Sequence, residues 1–242
     1  MTIKEHYDKH LGNFYSWMLG NFEARQKEQE DYFTRNCIMP KSNRVALDLG
    51  AGNGIQSVSL AKMGFTVKAI DFSSHLTTEL ELHSRNFNIE IVNGNFTDKA
   101  ILARYSPELI VCMGDTITHL ESTDQLTQLV KDIHEISAPG AFFVISYRDL
   151  SKELIDTQRF IPVKADNTRI LTCFLEYFPE YVRVTDLLHE FENGAWIQKI
   201  SSYNKLRISI DSLRNLLSKN NFHMKNMEVI RGMNYLIFQK NS

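Results

Sequence analysis

Apolar residues are spaced in three different ways along this chain. Before residue 40, Tyr7, Leu11, Tyr15, Met18 and Phe22 recur at intervals of four and three, which predicts one helix with a shared apolar face that the charged run RQKEQED extends. Pro40 and the polar KSN then break the pattern. Next, the β-rich runs VALDL, TVKAID, IEIV, LIVCM and AFFVIS alternate with helix-length segments such as IQSVSLAKMG and TDQLTQLVKDIHEIS. Ser122 and Gln125 predict a capping box for the last of these helices, and APG predicts its stop. Strict alternation of this kind predicts an α/β fold, a doubly wound and mostly parallel sheet with helices on both faces. After Asp149 the runs RILTCFLEYF, YVRVTDLLHEFE and AWIQKISSYNKLRI, separated by PE and NG, predict an antiparallel meander. A helix at IDSLRNLLSKNN and the strands MKNMEVI and NYLIFQK end the chain and bring the main sheet to seven strands.

Composition narrows the partners. With 242 residues, 43% hydrophobic and 23% charged, the chain reads as one elaborated globular domain. A formal net charge of −2 provides no field to gather nucleic acid or an anionic membrane, so small molecules are the expected partners. Cys37, Cys112 and Cys173 form no C-x-x-C and read as buried thiols of a reducing compartment. The N-terminal stretch has no apolar core of signal-peptide length, and no apolar run is long enough to span a membrane, so a cytoplasmic location is expected. His75, His83 and His134 show no ligand-like pairing, and no metal is expected.

Candidate chemistry concentrates in RVALDLGAGNGIQSVSLAKMGFTVKAID, Arg44 to Asp71. Gly50, Gly52 and Gly54 fall between the first strand of the sheet and its helix, where an open parallel sheet presents its crevice and free amides face a ligand. Asp71 ends the second strand, in position to accept hydrogen bonds from ribose hydroxyls. A dinucleotide fingerprint wants its third glycine three residues after the second, to pack around a pyrophosphate; here it follows after two. Asp48, just before the loop, would repel a pyrophosphate and suits a cationic adenosine compound.

D-x-G-x-G-x-G followed by an acid at the end of the second strand resembles the class I, Rossmann-type S-adenosylmethionine-dependent methyltransferases. VNGNF, VCMGDTITHL and VISYRDL resemble the segments after the third, fourth and fifth strands of the glycine N-methyltransferase-like small-molecule methyltransferases. The resemblance implies S-adenosyl-L-methionine as cofactor and S-adenosyl-L-homocysteine as product. It divides the chain into an N-terminal helical lid (1–36), a Rossmann-like cofactor core (37–150), an antiparallel β insertion on the substrate side (151–206), and a closing helix with the final two strands (207–242). Cofactor contacts would come from Asp48, Gly50, Gly52, Gly54, Asp71, Phe72, Asn95, Phe96 and Met113: Gly50 at the methionine part, Asp71 at the ribose, Asn95 and Phe96 at the adenine, and the Met113 backbone near the sulfonium. YSWMLGNFEAR resembles the family's aromatic lid, which adds Tyr15 and Trp17 and makes Arg25 the holder of the cofactor carboxylate.

Catalytic positions by the same resemblance are Tyr7, Asp115, His119 and Arg148. His119 would receive or relay a proton, since a free imidazole titrates near neutrality. Asp115 stands where the family carries Asn, and its charge would favour an amine or cationic acceptor. Arg148 would clamp a substrate carboxylate. Plainer roles stand beside these: a helix cap for Asp115, surface ion pairs for Arg25 and Arg148, core packing for the aromatic stripe. The expected function is in-line methyl transfer to a small molecule, an amine or amino acid. A cofactor-binding sensor or partner-binding module without turnover, and an NAD-dependent oxidoreductase, are the alternatives. Oligomeric state stays open, with a homodimer among the options.

Overall fold

The computed structural model describes residues 2–241. In chain order its elements are α1 (Ile3–Lys9), a 3-10 turn (Leu11–Phe14), α2 (Tyr15–Leu19), α3 (Phe22–Arg35), β1 (Val45–Leu49), α4 (Ile55–Lys62), β2 (Thr66–Asp71), α5 (Ser74–Ser84), β3 (Ile89–Asn93), α6 (Lys99–Leu102) and β4 (Leu109–Cys112). A 3-10 turn (Thr116–His119), α7 (Thr123–Ile136) and β5 (Phe142–Tyr147) complete the first half of the core. Then come β6 (Phe160–Ala165), β7 (Arg169–Tyr177), β8 (Tyr181–Glu192), β9 (Ala195–Leu206), α8 (Ile210–Lys219), β10 (Phe222–Ile230) and β11 (Met233–Lys240).

Seven strands form one sheet in the order β10-β11-β5-β4-β1-β2-β3. Neighbours from β5 to β3 pair in parallel, and β11 runs antiparallel to both β5 and β10. Central strands covered on both faces should be apolar throughout, and all four residues of β4 are buried. Tyr32 and Phe33 of α3 and Leu60 of α4 pack on Val67, Val111 and Val144 at one face. Leu129 and Ile133 of α7 and Leu213 and Leu217 of α8 cover Leu47, Ile110 and Phe143 at the other. Each such side chain contributes roughly 1.5–3 kcal/mol by leaving water. The capping box of α7 is displaced by one residue. Ser122 Oγ accepts the Gln125 amide at 3.1 Å, while Gln125 Oε1 takes the Glu121 amide at 2.7 Å.

The single N-terminal helix expected from the apolar spacing is instead three helices and a 3-10 turn. Gly20, at φ +91°, turns the chain, and Asn21 Oδ1 then caps α3 by accepting the Ala24 amide at 2.8 Å. The insertion is a four-stranded antiparallel sheet, β6-β7-β8-β9. Sequence patterning missed β6, because Pro162 removes a ladder donor beside a register shift and the strand is mostly exposed. Leu171 and Leu188 of this sheet pack on Leu11 and Phe14, so the insertion backs the N-terminal helices. Cys37 is exposed, contrary to its reading as a buried thiol, because it follows the end of α3 at φ +55°; Cys112 is buried. Among the described residues no helix is long and apolar enough to cross a membrane.

Candidate active site

The glycine loop leaves β1 at the carboxyl edge of the sheet and is tied to β2, since the Gly50 and Ala51 amides donate to the Ile70 carbonyl at 2.9 and 3.1 Å. Gly50 has φ +70°, and a Cβ there would stand 2.3 Å from Thr116 Cγ2. Gly54 has φ +95°, with Leu80 Cδ1 2.2 Å from the same point. Both positions therefore exclude a side chain twice over, by backbone conformation and by space. Asp71 Oδ2 accepts the Gly52 amide and Oδ1 the Ser73 amide, both at 2.8 Å, which fixes this carboxylate at the strand tip beside the loop. Burial raises its pKa, and the amides work against that rise.

Asp48 departs from expectation. Its side chain is buried in the contact between β1 and α4, where Ser57 Oγ donates to Oδ2 at 2.6 Å. Burial pushes the carboxyl up to about 7. Its part is to hold the loop's two flanking elements together.

Tyr15 covers the loop: its hydroxyl lies 3.5 Å and its ring atoms 3.6–3.8 Å from where a Gly52 Cβ would be. Tyr7 meets Tyr15 at 6.1 Å and stands edge-on to Phe72 at 6.0 Å between ring centroids. Ser16 Oγ donates to Glu79 of α5 and receives the Asn53 amide group at 3.0 Å, so α2 is fastened to the loop it covers. Trp17, expected beside the cofactor, turns the other way. Its Nε1 donates to Asp166 at 2.6 Å and Lys164 and Arg169 lie over its ring, which joins the lid to the insertion. Arg25 is paired with Glu28 at 2.9 Å and lines a cavity together with Arg148.

The third segment of the site follows β4. Asp115 adopts φ +74° and accepts the Arg148 amide at 2.7 Å, Arg148 Nη1 at 2.6 Å and Lys205 Nζ at 2.9 Å. Burial would raise this carboxyl, but Lys205 and Arg148 outweigh it and hold the group well below the usual carboxylate range. The free negative charge expected at Asp115 is thus cancelled by two cations. Arg148 is correspondingly anchored at one nitrogen, while its side chain remains about half exposed. Sequence reasoning missed Lys205; the one available signal was strand alternation, which puts Tyr203 and Lys205 of β9 on one face.

His119 Nε2 lies 3.3 Å from the Tyr7 hydroxyl, and Nδ1 is buried with no partner among the described residues. Burial, helped by Lys205, pushes the imidazole down to about 3, so it stays neutral and cannot keep a proton near neutrality, against its expected relay role. Burial also raises Tyr7 far above the usual phenol range.

Remaining positions are placed as follows. Phe96 is buried in the main core with Leu49 and Ile70, and Asn95 is exposed, its Oδ1 accepting the Thr97 amide at 3.0 Å. Met113 is buried and its carbonyl accepts Thr116 Oγ1 at 2.8 Å, which leaves that backbone oxygen engaged. His6 and His10, unnoticed in the sequence, face Asp186 of β8 at 3.3 and 3.9 Å and dock α1 on the insertion. Among the described residues no group of three or more His, Cys, Asp or Glu is placed to hold a metal ion.

A loop in which Gly50 and Gly54 leave no room for side chains, an amide-oriented acid at the second strand tip and an aromatic cover together fit an adenosyl sulfonium compound. Comparison with known proteins agrees. The "Methyltransferase domain" family matches residues 46–140, from β1 to the end of α7. The mitochondrial ubiquinone biosynthesis O-methyltransferase of Schizosaccharomyces pombe is 23% identical over 206 residues, covering 80% of this chain and 71% of that one. This chain belongs to the class I S-adenosylmethionine-dependent methyltransferases. Among other relatives of this methyltransferase, the glycine N-methyltransferase of Mus musculus is 24% identical over 187 residues, covering 69% of this chain and 63% of that one. The fold of CalS10, an amino pentose methyltransferase from Micromonospora echinaspora solved with S-adenosylmethionine bound, matches with a TM-score of 0.73 at 12% identity, covering 90% of this chain and 92% of that one.

Proposed function

We propose that this methyltransferase transfers a methyl group to the nitrogen of a small amine or amino acid that reaches the site as a neutral nucleophile. One observation carries the reading: the groups facing the reaction space offer no base that works near neutrality. His119 is pushed down to about 3, and Tyr7 and Tyr15 are both raised by burial. A phenol or alcohol acceptor would need its proton removed, whereas a neutral amine attacks through its lone pair and loses its proton afterwards.

The bound cofactor supplies an electrophilic methyl group on sulfur. Gly50, Gly52, Gly54, Asp71 and Phe72 would hold it, with Tyr15 as cover. Tyr7, Tyr15 and Phe72 exclude water from the space above the loop, and His119 orients the Tyr7 hydroxyl. The paired cations on Asp115 disfavour an ammonium ion beside them and so select the neutral amine. What remains is alignment, which supplies up to roughly 7–11 kcal/mol of barrier lowering in favourable systems.

Calorimetric titration with S-adenosylmethionine and S-adenosylhomocysteine, followed by a panel of amines, amino acids and phenols scored for S-adenosylhomocysteine release, tests the proposal. Turnover confined to amines supports it. Turnover on phenols with none on amines overturns it, and cofactor binding with no turnover on any acceptor favours a cofactor-binding sensor.

A further inference from the structure

An antiparallel sheet with one face packed and the other in solvent ordinarily sets its polar residues outward. The insertion sheet does the reverse. Its inner face packs Leu171 and Leu188 on Leu11 and Phe14. The charges of the long strands lie on that same inner side: Asp186 and Glu190 of β8 alternate in phase with Val184 and Leu188, and Lys199 and Lys205 of β9 stand opposite Leu188 and Val182.

The outer face is left apolar. In register across the strands, Phe160 stands opposite Phe174, Leu187 opposite Ile200 and Phe191 opposite Trp196. The two aromatic pairs have ring centroids 4.7 and 5.4 Å apart. Thr172, Thr185, Gln198 and Ser202, which share this face, are uncharged. Among the described residues of the four strands, full charges on this face are confined to Glu176 and Arg183, which oppose each other at one end.

Single exposed apolar residues are ordinary, but a contiguous field of them marks an interaction surface. Phe160 is 49%, Phe191 46%, Trp196 48% and Ile200 58% exposed. At about 150–250 Å² per aromatic side chain, the three aromatics alone leave roughly 200–350 Å² open, and Ile170 and Ile200 add to it. Four strands at about 4.8 Å and a β8 of 12 residues at about 3.4 Å give a face of roughly 19 by 40 Å. That is room for the roughly 800 Å² that each partner contributes to a standard interface.

We propose that the outer face of β6–β9 is the interface of a homodimer, in which two copies of this chain pack sheet on sheet about a two-fold axis. A two-fold axis sets a patch against itself, so a patch of one sign would repel its copy; this face, with one acid matched by one base, does not. An open sheet face suits a second sheet at about 10 Å and lacks the groove that a peptide helix fills. Nor does it carry the basic field that nucleic acid or an anionic membrane requires. β9 presents Ile200 to the partner and, from its other side, Lys205 to Asp115 at 2.9 Å, so the interface backs the strand that completes the charges of the site. The inference is independent of which acceptor is methylated.

Sedimentation velocity on the full chain, from about 1 to 100 μM, tests the proposal. The expected species has twice the 28.0 kDa mass of one chain. W196E and I200E each set a carboxylate against the partner's apolar face and should weaken association by about 100-fold or more, with far-UV circular dichroism unchanged. V229E, at a comparably exposed residue of β10, should leave the dimer intact. In W17F, Trp196 is the remaining one of two tryptophans, and it should be shielded from iodide quenching in the dimer. That readout decides if W196E and I200E fail to fold. A 28.0 kDa monomer at about 100 μM, or Trp196 open to iodide there, overturns the inference. So does a dimer that survives both W196E and I200E in folded form, or one that V229E also dissociates. Species that keep growing beyond two copies reject the two-fold arrangement.

Discussion

Lys205 of the insertion reaches Asp115 of the cofactor core at 2.9 Å, across 90 positions of sequence. Asp115 thereby becomes the centre of a three-charge cluster, with Arg148 at its other side. The insertion is consequently part of the site's electrostatics as well as the backing of its lid.

K205M removes one of the two cations and leaves Arg148 in place. Breaking a buried pair is strongly destabilising, and with one partner retained a loss of about 2–3 kcal/mol is expected at pH 7. A carboxyl whose folded pKa is depressed contributes stability that is present above its unfolded value and fades as pH falls toward the folded one. The gap between wild type and K205M should therefore be full at pH 7 and narrow below about pH 4, near the ordinary carboxyl value of 3.8. Urea unfolding at both pH values measures it; a gap independent of pH contradicts the assignment to Asp115.

His119 and Asp48 should drive stability in opposite directions. The His119 imidazole takes a proton at 6.5 when unfolded and only at about 3 when folded, so its burial makes the wild type lose stability as pH falls through that window. Asp48 ionises at 3.8 unfolded and at about 7 folded, so its burial costs stability as pH rises through that window. H119N is expected to gain relative to wild type toward pH 5, and D48N toward pH 8, with slopes of at most about 1.4 kcal/mol per pH unit. Thermal or urea unfolding across pH 4–9 separates the two; equal gains at all pH values would show that neither group titrates as described.

G50A should place its Cβ 2.3 Å from Thr116 Cγ2 while forcing φ +70° on a substituted residue. The backbone conformation alone costs about 1–2 kcal/mol, and the clash adds to that. S-adenosylhomocysteine affinity is expected to fall by at least about tenfold. Adding T116S removes the methyl and should recover part of the loss, because only the clash is relieved. No recovery in calorimetry would mean that the methyl contact does not limit binding, leaving the backbone conformation and the Thr116 Oγ1 approach at 2.9 Å to account for the effect.

Tyr15 is expected to act by covering the loop with its ring. Y15F should therefore change S-adenosylhomocysteine binding by less than about threefold, while Y15A, which uncovers Gly52, should speed its release by about tenfold or more with little effect on association. Stopped-flow displacement gives both rates. Equal effects of Y15F and Y15A would assign the role to the hydroxyl.

Much of the core was readable because its information is local. An unbroken buried strand, three glycines at a strand-to-helix turn and an acid at the next strand tip each follow from short-range sterics or from the two-faced burial of a parallel sheet. The N-terminal region was readable in its spacing and misleading in its continuity. Tyr7 and Tyr15 do meet at the site while Leu11 packs on the insertion, but Gly20 and Asn21 divide the chain into separate helices that periodicity alone joined together. The direction Trp17 faces was not readable for a related reason, since it depends on Asp166 and Arg169 of the insertion.

The sequence by itself determined the fold class and the cofactor loop, since hydrophobic period and glycine placement act within a few residues and tolerate little else. Tertiary structure alone decided the charges of the site. Whether Asp115 is a free anion, whether His119 can carry a proton and whether Asp48 faces a ligand depend on desolvation and on partners such as Lys205, Arg148 and Ser57. Electrostatic energy is set by distance and burial, and neither is written in the spacing of residues along a chain.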